Sequence, residues 1–544
     1  MEKKRIGDLL KDEGIITDQQ VGLALKEQQA TRERVGDVLL RLGMVTQTEL
    51  AQAIAEQSHV EFLELRNYTP PKEALKSLPL QFAKDNSLLP VAVDDGTLTL
   101  ATGEPDNSKI MDLASRITKK KIAFVVASSS QISTHIEKDY YLLEHPLEEE
   151  IKEHLEHSKR NPHDVDTERL CRLFLMSAIN SRATDIHITP TNRTTQVHYR
   201  IDGILYPFYT FPIELHPRII STLKVKSDMD ISEQRKPQDG RMTFDFLNEK
   251  YDMRVSTLRV SHGENMVMRI LSSSEELYSL KNLGLAEEDI TNLKDTLSKP
   301  FGMVLVSGPT GSGKTTTLYA SLREINSIEK NIVTVEDPVE YQFPLIRQTQ
   351  VNEKAGYVFA SAVRAFLRQD PDVILIGEIR DADTATMGLR AAQTGHLVLS
   401  TVHANDAVGA IPRLKDLGMR DYMISSSLLC VIAQRLVRAL CPYCKEHYES
   451  GEAEQHLFGI APGSMIYSPK GCPQCLRTGF LGRIMVAEIL VVSKEIEKLI
   501  STGAHPFEIK EKAIEEGMYT LSGDASRKII SGRTSFEEAR RVLR

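Results

Sequence analysis

Tryptophan is absent from this 544-residue chain, and aromatic residues amount to only 6% of it. Asp plus Glu (75) outnumber Lys plus Arg (67), for a formal charge of −8. A protein that tracks nucleic acid needs a basic surface with stacking platforms, so both shortages argue against that class. Long apolar runs are lacking too, with no uncharged stretch of about 18 residues to span a bilayer. The start, MEKKRIGDLLKDEG, has no signal-peptide core, because Asp8, Lys11, Asp12 and Glu13 interrupt it, and the expected location is the cytoplasm. Cysteine is scarce, at positions 171, 430, 441, 444, 472 and 475. In a reducing compartment the clustered four are expected to bind metal and not to form disulfides.

What is present begins with a tandem repeat. Residues 5–28 align without gaps on residues 34–57, a period of 29, with nine identities in 24 positions. Each copy predicts a short helix stopped by Gly14 or Gly43, then a Thr N-cap (Thr17, Thr46) opening a longer amphipathic helix. Proline breaks and strand-like LLPVAV, LTLAT and IAFVVA predict a small α/β unit over 60–140. Residues 141–166 are acidic and poor in large apolar residues, the composition of a solvated linker that is helical at most in part. One helix and four strand-like stretches predict an α+β domain over 167–272, and alternating strands and helices from 282 predict a mostly parallel sheet. About three or four domains suit this length. The expected division is 1–140, linker 141–166, 167–272, a parallel-sheet domain 282–440, a cysteine-bearing lobe 441–475 and a C-terminal helical region 476–544.

The strand MVLVS (303–307) runs into Gly308, Pro309, Thr310, Gly311, Ser312, Gly313, Lys314 and Thr315, and Thr316 continues into a helix. This is strand, P-loop and helix in the required order. Its glycines let successive N–H groups face phosphates, Lys314 reaches the terminal phosphates, and the Thr315 hydroxyl suits Mg²⁺. Three further apolar strands end in polar groups: Glu336-Asp337-Pro338-Val339-Glu340, Gly377-Glu378 and His403. In an open parallel sheet these ends converge on the ligand, and a carboxylate there can orient and deprotonate water. Cys441-x-x-Cys444 and Cys472-x-x-Cys475 have the spacing of a closed, structural Cys₄ zinc site. Cys171 and Cys430 are expected to be packed thiols.

Beyond the P-loop, ATDIHITP (183–190), YRIDG (199–203), QRKPQDGR (234–241), TVEDPVEY (334–341), RQDPDVILIGEIRD (368–381) and TGHLVLSTVHANDA (394–407) follow one another. With these the chain resembles the secretion ATPases of the type II secretion and type IV pilus assembly family over roughly 60–544. The resemblance implies a RecA-like P-loop core preceded by an α+β, PAS-like domain. It implies that Glu340 positions or activates the attacking water beside Glu336 and Asp337, that Glu378 fills the Walker B role, and that His396 and His403 sense the γ-phosphate or couple it to movement, a structural hydrogen-bonding role being the equal alternative for either histidine. It further implies a homohexamer in which arginines of the preceding domain complete the site. Arginine suits this because a fixed guanidinium bridges two phosphate oxygens. Arg254 and Arg269 are the expected clamps, with Arg200 and Arg241 ranked below them because an exposed salt bridge is the default role of any one arginine. Thr189 stands where the family usually carries Glu. By the same resemblance the zinc lobe docks on an inner-membrane platform protein, making the chain a peripheral protein of the inner membrane.

The repeat resembles a cyclic di-GMP binding domain found on some of these ATPases, which would place Arg5, Gly7, Leu10, Gly14, Gln28, Arg34, Gly36, Leu39, Gly43 and Gln57 at the ligand. A helical docking module for a membrane partner is the plainer alternative. The expected function is an ATP-hydrolysing hexameric motor for pilus assembly or type II secretion. A nucleic-acid translocase on the same core and an ATP-gated scaffold are the other readings.

Overall fold

Alternating burial writes most of the strands of the first half of the chain. The computed structural model describes residues 4–161, 164–247, 249–271, 278–326 and 329–543. It divides into two compact units, one of residues 47–273 with the chain start, the other of residues 5–46 and 274–544.

In the first unit, strands β1 (Leu89–Asp94), β2 (Thr97–Thr102) and β3 (Lys121–Val126) form a small sheet, antiparallel then parallel. The turn between β1 and β2 places Asp95 and Gly96 at positive φ, which Gly96 adopts without strain. A second, antiparallel sheet follows. It contains β4 (Asp185–Pro190), β5 (Thr194–Ile201), β6 (Ile204–Pro212), β7 (Gln238–Phe246), β8 (Glu249–Val260) and β9 (Gly263–Leu271), in the order β6-β5-β4-β9-β8-β7. Along β5 every second residue is fully buried, the mark of a sheet with one packed face. Helices Thr167–Asn180 and His216–Lys226 contribute to the same core.

The expected linker is not one. Leu147–Arg160 is a helix whose Leu147, Ile151 and Leu155, one turn apart, are buried in that core. Its many acidic groups lie on the other faces, so composition hid an amphipathic helix. Pro162 and His163, within the same stretch, lie outside the described residues.

The second unit opens with the helices Ile6–Asp12, Asp18–Thr31 and Val35–Arg41. Gly14 and Gly43 take φ of +68° and +66°, and Thr17 caps the following helix by accepting the Gln20 N–H at 3.3 Å. The second long helix, Gln47–Ser58, falls in the other unit, where Ala51 and Ala55 pack on Val126 of β3. Residues 1–140 are thus not one body, and the division falls inside the second repeat.

The main sheet holds β10 (Gly302–Ser307), β11 (Ile332–Glu336), β12 (Arg347–Gln350), β13 (Val373–Ile376), β14 (Leu397–Val402) and β15 (Leu428–Leu440), all parallel. Between β15 and the last main-sheet strand lie β16 (Glu446–Glu449) and β17 (Met465–Ser468), a small antiparallel pair. Strand β18 (Phe480–Val491) then returns antiparallel to β15, completing the order β12-β11-β13-β14-β10-β15-β18. Strands β10, β11, β13 and β14, fully buried with helices on both faces, explain the near-continuous apolar runs, whereas the edge strand β12 is polar and partly exposed. The ATPase sheet therefore does not end at residue 440, and residues 476–544 are not purely helical. The metal lobe is an insertion at the end of the β15–β18 hairpin. No described helix is long and apolar enough to cross a membrane.

Candidate nucleotide site and metal centre

The P-loop joins β10 to the helix Lys314–Ile325, with Gly308, Gly311 and Gly313 at φ of +150°, +78° and +88°. Two of these glycines answer to close approach as well as to φ. A Cβ on Gly308 would lie 2.6 Å from the Gln434 carbonyl oxygen, and one on Gly313 3.2 Å from Gln434 Nε2. Gln434, on the neighbouring β15, donates to the Ser312 carbonyl at 2.6 Å and accepts from Thr317 Oγ1 at 2.7 Å. It braces the loop from behind. A lone amide inside the apolar run LLCVIAQRLV was the sequence's hint of this role. Lys314 Nζ folds onto the loop, 2.9 Å from the Gly308 carbonyl and 3.1 Å from that of Pro309. Burial lowers its pKa, opposed by the Glu378 carboxylate.

In front of the loop lies a cleft of about 520 Å³, bordered by Lys314, Thr315, Thr316, Glu336, Asp337, Glu340, Glu378, Arg380, His403 and Arg483. The carboxyl ends of β10, β11, β13 and β14 all open into it, as an α/β sheet requires. Glu378 is paired with Arg380 at 2.6 Å and lies 4.0 Å from His403 Nε2. Burial, then the Lys314 ammonium, lowers the His403 pKa. Glycine-bounded N–H groups at a helix start, a lysine, a threonine hydroxyl and carboxylates are a donor set that fits a nucleoside triphosphate with Mg²⁺.

His396 does not join the cleft. It precedes β14, and its carbonyl accepts the N–H of Gly302 at the start of β10. His403 follows β14, roughly 20 Å away along six extended residues. His396 Nδ1 instead lies 3.0 Å from the Ala391 carbonyl oxygen. Position before or after the strand LVLSTV already separated the two histidines.

In the first unit, register pairs Arg241 with Arg254, Arg254 with Arg269, Arg269 with Asp185 and Asp185 with Arg200. Direct cross-strand partners share a face, so the four arginines form one row across the sheet. Asp185 holds Arg269 Nε at 3.0 Å and Arg200 Nε at 3.6 Å. Geometry gives no ground for ranking Arg254 and Arg269 above their row partners. Thr189 donates to Asn265 Oδ1 at 2.7 Å.

The four lobe cysteines have their sulfurs within 4.8 Å of one another. Cys441–Cys472, Cys444–Cys475 and Cys472–Cys475 are each 3.8 Å apart. Tetrahedral thiolates at the Zn–S bond length of ~2.3 Å would sit about 3.8 Å apart, so the cluster is consistent with zinc. Burial disfavours a thiolate at Cys475, yet N–H groups of Cys472 and Gly479 bring its pKa down to about 7. Cys171 and Cys430 are buried, and burial pushes both thiols up to about 12.

In the repeat, Arg5 and Arg34 are exposed at matching helix starts, whereas Leu10 and Leu39 are fully buried. Gln28 donates to the Glu33 carbonyl at 3.1 Å, and Gln57 to the Lys4 carbonyl at 2.5 Å. Each glutamine thereby holds the residue just before the other copy's arginine.

Fold and cleft together define a P-loop ATPase with a RecA-like core. Residues 162–541 match the Type II/IV secretion system protein family, and the chain belongs to that family. Residues 58–145 match the MshEN domain, beyond the tandem repeat. The type IV pilus assembly ATPase PilB of Myxococcus xanthus is 38% identical, with 98% of each chain covered. The type II secretion system ATPase E of Vibrio cholerae is 43% identical over 70% of this chain and 76% of its own. Among solved structures, the ATPase DotB of Yersinia pseudotuberculosis superposes with a TM-score of 0.52 at 20% identity, covering 69% of this chain and 93% of that one, a likeness of fold alone.

Proposed function

We propose that this chain is the hexameric ATPase motor of a type IV pilus assembly machine, working at the cytoplasmic face of the inner membrane. The observation that carries the motor reading is the convergence of Lys314, Glu340 and Glu378 on one cleft at the P-loop. The loop N–H groups and Lys314 bind the phosphates, and Thr315 would hold Mg²⁺ with Glu378 behind it. Bound Mg²⁺ neutralises charge on the phosphate oxygens. Glu340 orients the attacking water and takes its proton. The arginine row, Arg254 and Arg269 included, clamps phosphate as negative charge develops, supplied across subunits of the ring.

Full-length similarity to a pilus assembly ATPase, against 70% coverage by the type II secretion relative, favours pili over protein export. A strain lacking this chain is expected to lose surface pili, counted by electron microscopy, and to keep secreting its exported enzymes. The reverse pattern selects type II secretion. Zinc in the lobe keeps a docking surface for the membrane platform in shape.

Cyclic di-GMP is the regulator we assign to the repeat. Exposed Arg5 and Arg34, with Gly7 and Gly36 beside them, offer two matching half-sites for a ligand with two guanines and two phosphates. Titrating the full chain with cyclic di-GMP in a calorimeter should give micromolar or tighter binding, lost when Arg5 and Arg34 are both changed to Ala. Absence of heat from the unaltered chain would leave the repeat a docking module.

A further inference from the structure

Tyr319 lies one and a half turns beyond Lys314 on the P-loop helix and is 1% exposed. Its ring meets those of Tyr278 and Phe343 edge-on, each at 5.2 Å between centroids. Its hydroxyl both donates and accepts. It donates to Glu336 Oε2 and accepts the backbone N–H of Glu340 at 3.2 Å.

Glu336, at the end of β11, is 3% exposed. Its other oxygen accepts from Thr334 Oγ1 at 2.5 Å and from Gln348 Nε2 at 3.1 Å. A carboxylate that receives three donors, on both oxygens, is held in place and poorly placed to turn toward a water. Burial, then the Glu336 charge, raises the Tyr319 pKa, so the phenol remains a donor.

We propose that Tyr319 is a positioning residue for ATP hydrolysis: its hydroxyl pins the Glu340 backbone to the helix that carries Lys314, with Glu336 as the fixed anchor of the strut and not a second base. The phosphate grip and the water-activating carboxylate are then held at a set separation by one hydroxyl. The inference rests on the assignment of Glu340 made above.

The test is steady-state ATP hydrolysis by the full chain, with ADP binding measured in parallel. Tyr319→Phe keeps the ring and removes the hydroxyl with all its hydrogen bonds. The expected result is a kcat lowered by about tenfold, with KM for ATP and ADP affinity unchanged. A ring that serves packing alone predicts an unaltered kcat, which overturns the proposal. A fall in kcat accompanied by equal losses in nucleotide affinity and thermal stability overturns it as well.

A double-mutant cycle separates this from the Glu340 assignment. Because Tyr319 acts through Glu340, adding Tyr319→Phe to Glu340→Gln should bring little further loss, and losses that multiply overturn the proposal. Full activity in Glu340→Gln alone removes the assignment of Glu340 itself, and with it the role given to Tyr319. Glu336→Gln provides the second variant. It should cost no more than about tenfold in kcat, as a weakened anchor would. A loss as deep as that of Glu340→Gln, in a folded protein, would make Glu336 the base and overturn the strut.

Discussion

Glu340→Gln is expected to lower ATP turnover by about two to four orders of magnitude, the usual worth of a positioned general base. Nucleotide affinity should survive. The amide has the shape of the carboxylate but cannot take a proton from the attacking water. Binding rests on the P-loop N–H groups and Lys314, which belong to a different segment of the cleft lining. Phosphate release against time, with fluorescent ADP binding in parallel, reads both quantities. A variant that hydrolyses ATP at the unaltered rate would show that Glu340 is not the base, and Glu378 would be the next carboxylate to examine.

Cys472→Ser is expected to abolish stoichiometric zinc and to destabilise the lobe by about 4 kcal/mol or more, the scale on which loss of a structural metal acts. The main sheet should persist. Strands β15 and β18 pair along nearly their whole length, from Cys430 with Val491 to Leu440 with Phe480, without help from the lobe. Within the lobe, the β16–β17 pair is short, and a two-stranded ribbon is marginal by itself. Elemental analysis and amide hydrogen exchange measure the outcome. Retained zinc, or retained protection over 446–468 after the substitution, would remove the structural role assigned to the metal.

Local chemistry was the part of this fold most legible in the sequence. The P-loop glycines and both CxxC pairs declare themselves because their ligands are met within a few residues of chain. The convergence of strand ends on the cleft was legible for the same reason, each apolar run ending in its polar group, whereas the order of the strands was not. Leu147, Ile151 and Leu155 were obscured by the acidic residues between them, although their spacing of four was readable. Strand β18 was missed because RIMVAEILVV is short and apolar, a pattern that a buried helix shares. Tyr319 left no trace at all, since Glu336 and Glu340 reach it only through the packing of the loop after β11 onto the P-loop helix. The arginine row depended on register, which alternation alone fixes only in parity.

Strand β15 has a mechanical consequence. Gln434 grips the P-loop at one point along it, and Cys441, directly after its end, is a member of the cysteine cluster. From residue 434 to residue 441 an extended chain covers roughly 24 Å, and a strand paired with its hairpin partner β18 hardly stretches. The nucleotide loop and the lobe are thus mounted on one stiff rod. A small tilt imposed at the loop end reaches the lobe as a displacement enlarged by the length of the arm.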